Sequence, residues 1–116
     1  MAVEMRPAQA LRLWHDVTLS LVRDAQPDLS GRQLAILFTV YLEPPPHTVR
    51  GLAAKLHVTK PVITRALDSL AKLKLTARRR DEFDRRNVII QRTVDGALYV
   101  ERLGDILVAL AKDLPR

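Results

Sequence analysis

Apolar residues recur at helical spacing through most of the chain and give way to strand-like runs only near residue 75. From Pro7 to about Ala25, Ala10, Leu11, Trp14, Val17, Leu21 and Val22 fall three or four apart and form one stripe. Leu13 and Leu19 lie off it, so this helix is apolar on more than one side, and Trp14 reads as core or interface packing. Pro7 suits the first helical position, where a missing N–H costs nothing. After Gln26-Pro27-Asp28, Ser30 has the chemistry of an N-cap for a second helix reaching about Leu42. That helix is apolar nearly all round (Leu34, Ile36, Leu37, Phe38, Val40, Tyr41) and is expected to be central. Pro44-Pro45-Pro46 ends it, because proline removes donors and fixes φ.

The next segment changes rhythm. His47-Thr48 reads as a short strand, with Thr48 also placed to cap a helix over Val49 to Leu56 that buries Leu52, Ala53 and Leu56. A turn at His57-Val58 leads to a helix over Lys60 to about Leu73, with Thr59 as its cap and Pro61 in its first turn. Val62, Ile63, Ala66, Leu67, Leu70 and Leu73 form a wide apolar arc. The opposite side carries Pro61, Thr64, Arg65, Asp68 and Lys72. Leu75 to Arg80 and Asn87 to Arg92 read as two strands, the second with a β-branched centre, joined by a charged tip over residues 81–86. Thr93 opens a last helix to about Leu114, more apolar than a small domain can cover. Two short helices followed by a β-ribbon make a winged helix-turn-helix. The fold class is therefore mainly α with a small β-wing and flanking dimerisation helices. The expected organisation is one domain, 1–116, with a DNA-binding core at 47–92 and dimerisation helices at 7–25 and 93–114.

Charge sharpens this picture. The net charge is +6, but residues 47–92 hold twelve Lys and Arg against four Asp and Glu, while the remainder is slightly acidic. Basic charge concentrated on one segment implies a polyanionic partner. A helix whose outer face is small, hydroxylic and basic fits a major groove, where Arg and Thr reach base edges or phosphates. An arginine-rich ribbon tip fits a minor groove, where narrow A·T stretches concentrate negative potential. Candidate DNA contacts are Thr59, Lys60, Pro61, Thr64, Arg65, Lys72, Arg80, Arg85 and Arg86. Asp84 is expected to hold Arg86 in one rotamer through a paired charge.

Composition excludes other chemistries. There is no cysteine, so disulfides, thiol catalysis and Cys-ligated zinc are excluded. His15, His47 and His57 show no metal-ligand pattern, and four glycines could hardly build a phosphate cradle. No Ser/His/Asp grouping stands out, so no enzyme, metal or cofactor is expected. No run approaches the roughly 18 apolar residues of a membrane span, nor does the N-terminus read as a signal peptide. A cytoplasmic location is expected, with no membrane partner.

The segments TVRGLAAKLHVTKPVITRALDSLAKLKL and RRRDEFDRRNVIIQRTVDGALYV resemble the MarR-type winged-helix regulators. The likeness is carried by Leu52-Ala53, by Thr64-Arg65 with Leu67-Asp68-Ser69-Leu70, by the wing signature Asp84-Arg85-Arg86, and by a Thr-x-x-Gly entry to the last helix at Thr93 to Gly96. It implies a homodimeric transcription regulator on double-stranded DNA, with Thr64, Arg65 and Arg86 as contacts and Asp84 as brace. Three departures stand out. Lys74 replaces the usual Gly after the recognition helix, so a different turn is expected there. Ser69 replaces a common basic residue. The resemblance leads one to expect a second long C-terminal helix that the 116 residues do not show, so a smaller dimer interface and a smaller pocket for a small-molecule effector are expected. The alternatives are a winged-helix adaptor that binds proteins and a non-specific architectural DNA-binding protein.

Overall fold

The computed structural model describes residues 3–24 and 27–115. The elements run α1 (Pro7–Arg23), α2 (Gly31–Leu42), β1 (His47–Thr48), α3 (Val49–Leu56), α4 (Lys60–Lys72), β2 (Thr76–Arg80), β3 (Val88–Arg92) and α5 (Val94–Lys112). The expected elements are all present in the expected order; Ala25, the expected end of the first helix, lies outside the described residues. The contacts gather into two compact units: Leu29–Val100, and the segments of chain before and after it.

The Leu29–Val100 unit is a winged helix-turn-helix with a closed core. Ile36, Leu37 and Val40 of α2 and Ile63, Leu67 and Leu70 of α4 are fully buried. The apolar arc of α4 thus faces inward as its spacing requires, except Leu73, which stands partly exposed just past the last turn. Ser30 caps α2 through a complete capping box: its hydroxyl accepts from Gln33 N at 3.1 Å, and Gln33 Oε1 accepts from Ser30 N at 2.8 Å. Thr48 caps α3 by accepting from Gly51 N at 2.9 Å. Thr59 stands at the N-cap position of α4, yet its side chain makes no cap hydrogen bond, which corrects the expectation of a side-chain cap. Pro61 in the first turn removes one of the N–H groups such a cap would serve.

The three strands form an antiparallel sheet in the order β1-β3-β2. His47 pairs with Ile90, and β2 pairs with β3 from Thr76↔Arg92 to Arg80↔Val88. Ile90 is the buried centre of β3. The expected departure at Lys74 does not occur. Leu75 N donates to Leu70 O at 3.0 Å and Lys74 N to Ala71 O at 2.9 Å, the two bonds of a Schellman motif, with Lys74 in the left-handed region at φ 62°. His57 ends α3 in the same way at φ 57°, with Val58 N bonded to Ala53 O at 3.1 Å. Both turns therefore use a side-chain-bearing residue where glycine would be free of strain.

A polar junction fixes the start of α5 within this unit. The Tyr41 hydroxyl donates to Leu75 O at 2.7 Å and accepts from Thr93 N at 2.9 Å. Thr93 Oγ1 donates to Lys74 O at 2.8 Å and accepts from Gly96 N at 2.9 Å, capping the helix. A Cβ at position 96 would lie 1.8 Å from Tyr41 Oη and 2.1 Å from Leu75 O. The Thr-x-x-Gly spacing thus has a physical cause: Thr93 caps the helix and Gly96 lets Tyr41 reach the backbone. Tyr41, read from sequence as one more apolar position of its helix, is the hub of this junction.

The other unit consists of α1 and the part of α5 after Val100. Among its described residues Val17 and Leu103 are buried, and Asp24 pairs with Arg102. Leu11, Trp14 and Val22 of α1 are exposed, Trp14 to 61%. The expected stripe therefore divides. Val17 turns inward, with Leu13 and Leu21 half-buried, while Leu11, Trp14 and Val22 form an outer row. Trp14 is not core in this chain. Leu107 and Val108 of α5 are exposed as well.

Candidate nucleic-acid interface

The inward arc of α4 dictates what the helix shows to solvent. Thr59, Lys60, Pro61, Thr64, Arg65 and Lys72 are all exposed. Neither Lys60, Arg65 nor Lys72 is in an ion pair, so among the described residues these cations keep their charge available. Asp68, on the same helix, is occupied by Arg78 Nη2 of β2 at 2.8 Å. That pair removes the one acid of the outer face as a free anion and ties α4 to the base of the wing. Sequence spacing alone does not reveal it, because strand and helix meet only in three dimensions.

The tip of the wing is built by short-range hydrogen bonds. Asp81 N donates to Asn87 O at 3.1 Å, and Asn87 N to Asp84 O at 2.9 Å. Asp81 Oδ1 accepts from Phe83 N at 2.9 Å, and Arg80 Nη1 donates to Arg85 O at 2.8 Å. Asp84 receives Arg86 Nε on Oδ1 at 3.1 Å and Arg86 Nη2 on Oδ2 at 3.3 Å, a two-point grip, and also accepts from Arg86 N. The Arg86 side chain and backbone bonds, aided by the charge of Arg50, hold the Asp84 carboxyl below its ordinary range; partial desolvation opposes them. A depressed carboxylate pKa contributes stability above the unfolded value of 3.8, lost as pH falls through the lower folded value. Near neutral pH, Asp84 is ionised and Arg86 is held. Arg80, Arg85 and Arg86 are all exposed, with Arg86 aligned by its neighbour while its outer surface faces water.

Arg50, in the first turn of α3, is a residue the sequence reading did not single out. Its charge adds a small share to the lowering of the Asp84 carboxyl's pKa. The pairing of Thr48 with Ile89 places the start of α3 beside β3 of the ribbon. Not every cation of the basic segment belongs to this surface. Arg92 donates to Val40 O at 2.8 Å and Glu43 O at 3.0 Å, closing the C-terminal end of α2. Lys55 pairs with Glu43. Among the described residues no three His, Asp or Glu side chains gather as metal ligands, and no helix is long and apolar enough to cross a membrane.

A closed helix-turn-helix core, a three-stranded sheet and an outward basic face define a winged-helix protein. The MarR family model matches residues 28–87, just over half of the chain, and the chain belongs to that family. Solved structures agree in fold. A mutant of MepR from S. aureus superposes with a TM-score of 0.74 at 23% identity, over 94% of this chain and 81% of that one. The transcriptional regulator BldR from Sulfolobus solfataricus gives 0.62 at 25% identity, over 94% and 84%. The transcriptional repressor CouR, solved bound to a 23-mer DNA duplex, gives 0.71 at 25% identity, over 91% and 72%. Among curated proteins none matches.

Proposed function

We propose that this chain is a sequence-specific, homodimeric transcription regulator that binds double-stranded DNA. In this reading α4 enters the major groove, with Thr64 and Arg65 at base edges and Thr59, Lys60, Pro61 and Lys72 along the backbone. Arg86 enters the flanking minor groove from the wing, with Arg80 and Arg85 beside it and Asp84 as brace. The observation that carries the proposal is the pairing pattern of the basic segment. Two of its four acids are paired with arginines, Asp68 with Arg78 and Asp84 with Arg86, and Asp81 accepts from a backbone N–H of the turn, while Arg65, Lys60 and Lys72 remain exposed without ion-pair partners. A protein-binding adaptor has no use for free cations on both the helix and the neighbouring ribbon.

The dimer belongs to the same reading. Two copies meeting through the exposed apolar rows of α1 and α5 would present two recognition helices about one DNA turn apart. A duplex of the length bound to CouR spans two such half-sites. No effector is required by this scheme.

The test is a mobility shift on duplexes selected by the protein from a random pool, repeated at rising salt. The reading predicts selection of a defined motif and affinity that falls linearly on a log–log salt plot. Failure to shift any duplex at low salt overturns it. Equal affinity for unrelated sequences leaves only architectural binding.

A further inference from the structure

The tip of the wing carries a phenylalanine that the fold does not use. Phe83 is 98% exposed, the most exposed of the large apolar side chains described. A phenyl ring left in water is disfavoured, and the chain has only two phenylalanines. Nor is Phe83 on a slack loop. Asp81 Oδ1 fixes its backbone N–H, Asp81 N and Asn87 O close the ribbon beneath it, and Arg80 Nη1 ties the far side at Arg85 O. The turn therefore presents the ring from an ordered backbone.

Its surroundings identify the surface it suits. Arg79 and Arg80 lie at the end of β2 before Phe83, and Arg85 and Arg86 follow it in the tip, all exposed. Asp81 and Asp84 are engaged by the turn itself, which leaves Glu82 as the free acid beside Phe83. An apolar side chain on a tip that also carries exposed arginines matches a surface of apolar sugar and base edges lined on both sides by phosphates. That is the minor groove of duplex DNA, where inserted apolar wedges unstack a base step and open the groove.

We propose that Phe83 is an apolar wedge that enters the minor groove beside Arg86 and favours sites with an easily unstacked pyrimidine–purine step under the wing. This rests on the DNA-binding reading and adds a source of specificity to it. Flexible steps such as TA and CA deform at lower cost, so the ring selects sequence without a hydrogen bond to any base. Glu82, by repulsion from the phosphates, limits how strongly the tip binds non-specific sequence.

The experiment uses the full chain and a duplex recovered from a random pool by the wild-type protein, with 2-aminopurine at the step under the wing. The wild type is expected to raise the 2-aminopurine fluorescence on binding, as the step unstacks. Phe83→Ala should abolish that rise and weaken binding about tenfold, without changing the salt slope, because no phosphate contact is lost. Phe83→Leu should keep part of both effects. Arg86→Ala should instead lower the salt slope by about one. Glu82→Gln should raise affinity for specific and random duplexes alike. If Phe83→Ala binds the same duplex with unchanged affinity and unchanged fluorescence, the wedge is overturned while the DNA reading stands. If the wild type recovers no duplex at all, both are overturned. A ring used for a protein partner would give the first of these results.

Discussion

The two units of the chain treat their apolar residues in opposite ways. In Leu29–Val100 the large apolar residues of α2 and α4 close on one another, and Ile36, Leu37, Ile63, Leu67 and Leu70 see no solvent. In the other unit, Leu11, Trp14, Val22, Leu107 and Val108 remain exposed around a buried Val17 and Leu103. One unit closes a dry core from its own sequence, and its exposed apolar residues, among them Leu42, Phe83, Val94 and Leu98, lie outside that core. The other carries a second apolar row that its own sequence leaves uncovered. Large exposed apolar rows are uncommon on monomers and mark surfaces that meet something else. The dimer reading gives that row an occupant, a second copy of the chain.

The comparison can be broken first where it predicts the largest loss. Leu67→Ala opens a cavity in a fully closed core and should cost about 2–5 kcal/mol in urea unfolding. A cost well under 1 kcal/mol would mean that the core of this unit is loosely packed. Gly96→Ala comes next. Its methyl would overlap Tyr41 Oη and Leu75 O, and the junction must shift, at about 1–3 kcal/mol or more. Tyr41→Phe combined with Gly96→Ala should recover part of the loss, because the clashing hydroxyl is gone.

Trp14→Ser tests the other unit. It should weaken self-association at least tenfold, about 1.4 kcal/mol, in sedimentation experiments. The unfolding midpoint of the dilute monomer should barely move. A large drop in monomer stability would show that Trp14 serves the chain's own core. The smallest effect is expected at Lys74→Gly, which should stabilise by up to about 1 kcal/mol. It relieves a left-handed residue, and the greater freedom of glycine in the unfolded chain offsets part of the gain.

The same contrast explains what the sequence revealed and what it did not. Helix limits around α2, α3 and α4 were legible because their signals are local: Ser30 with Gln33, Thr48 with Gly51, Pro61 in a first turn. The inward arc of α4 was legible because its partners lie in the same chain. The inner and outer rows of α1 were not separable, because periodicity marks apolar faces without saying which one is covered. Long-range polar links were hidden for a similar reason. Tyr41 and Thr93 are 52 residues apart, as are Arg92 and Val40, and no spacing rule pairs them. At Lys74 the expectation of a changed turn failed because the two Schellman hydrogen bonds, together with the bond from Thr93 Oγ1, outweigh the modest strain of one left-handed lysine.

At the candidate interface, residue types were readable and engagement was not. Arg65 and Arg86 stood out by their place in the pattern. That Arg78 is occupied by Asp68 and that Arg92 closes α2 required coordinates. Charge counted along the chain therefore overstates the basic face, since several of its cations hold the fold together.

The central claim is that α4 and the wing read duplex DNA in two symmetric copies. Hydroxyl-radical footprinting on a selected duplex tests it most directly. The account predicts two protected patches on one face of the duplex, centred about 10 base pairs apart, each flanked by protection where the wing lies. A single patch, or uniform protection along the duplex, would contradict it.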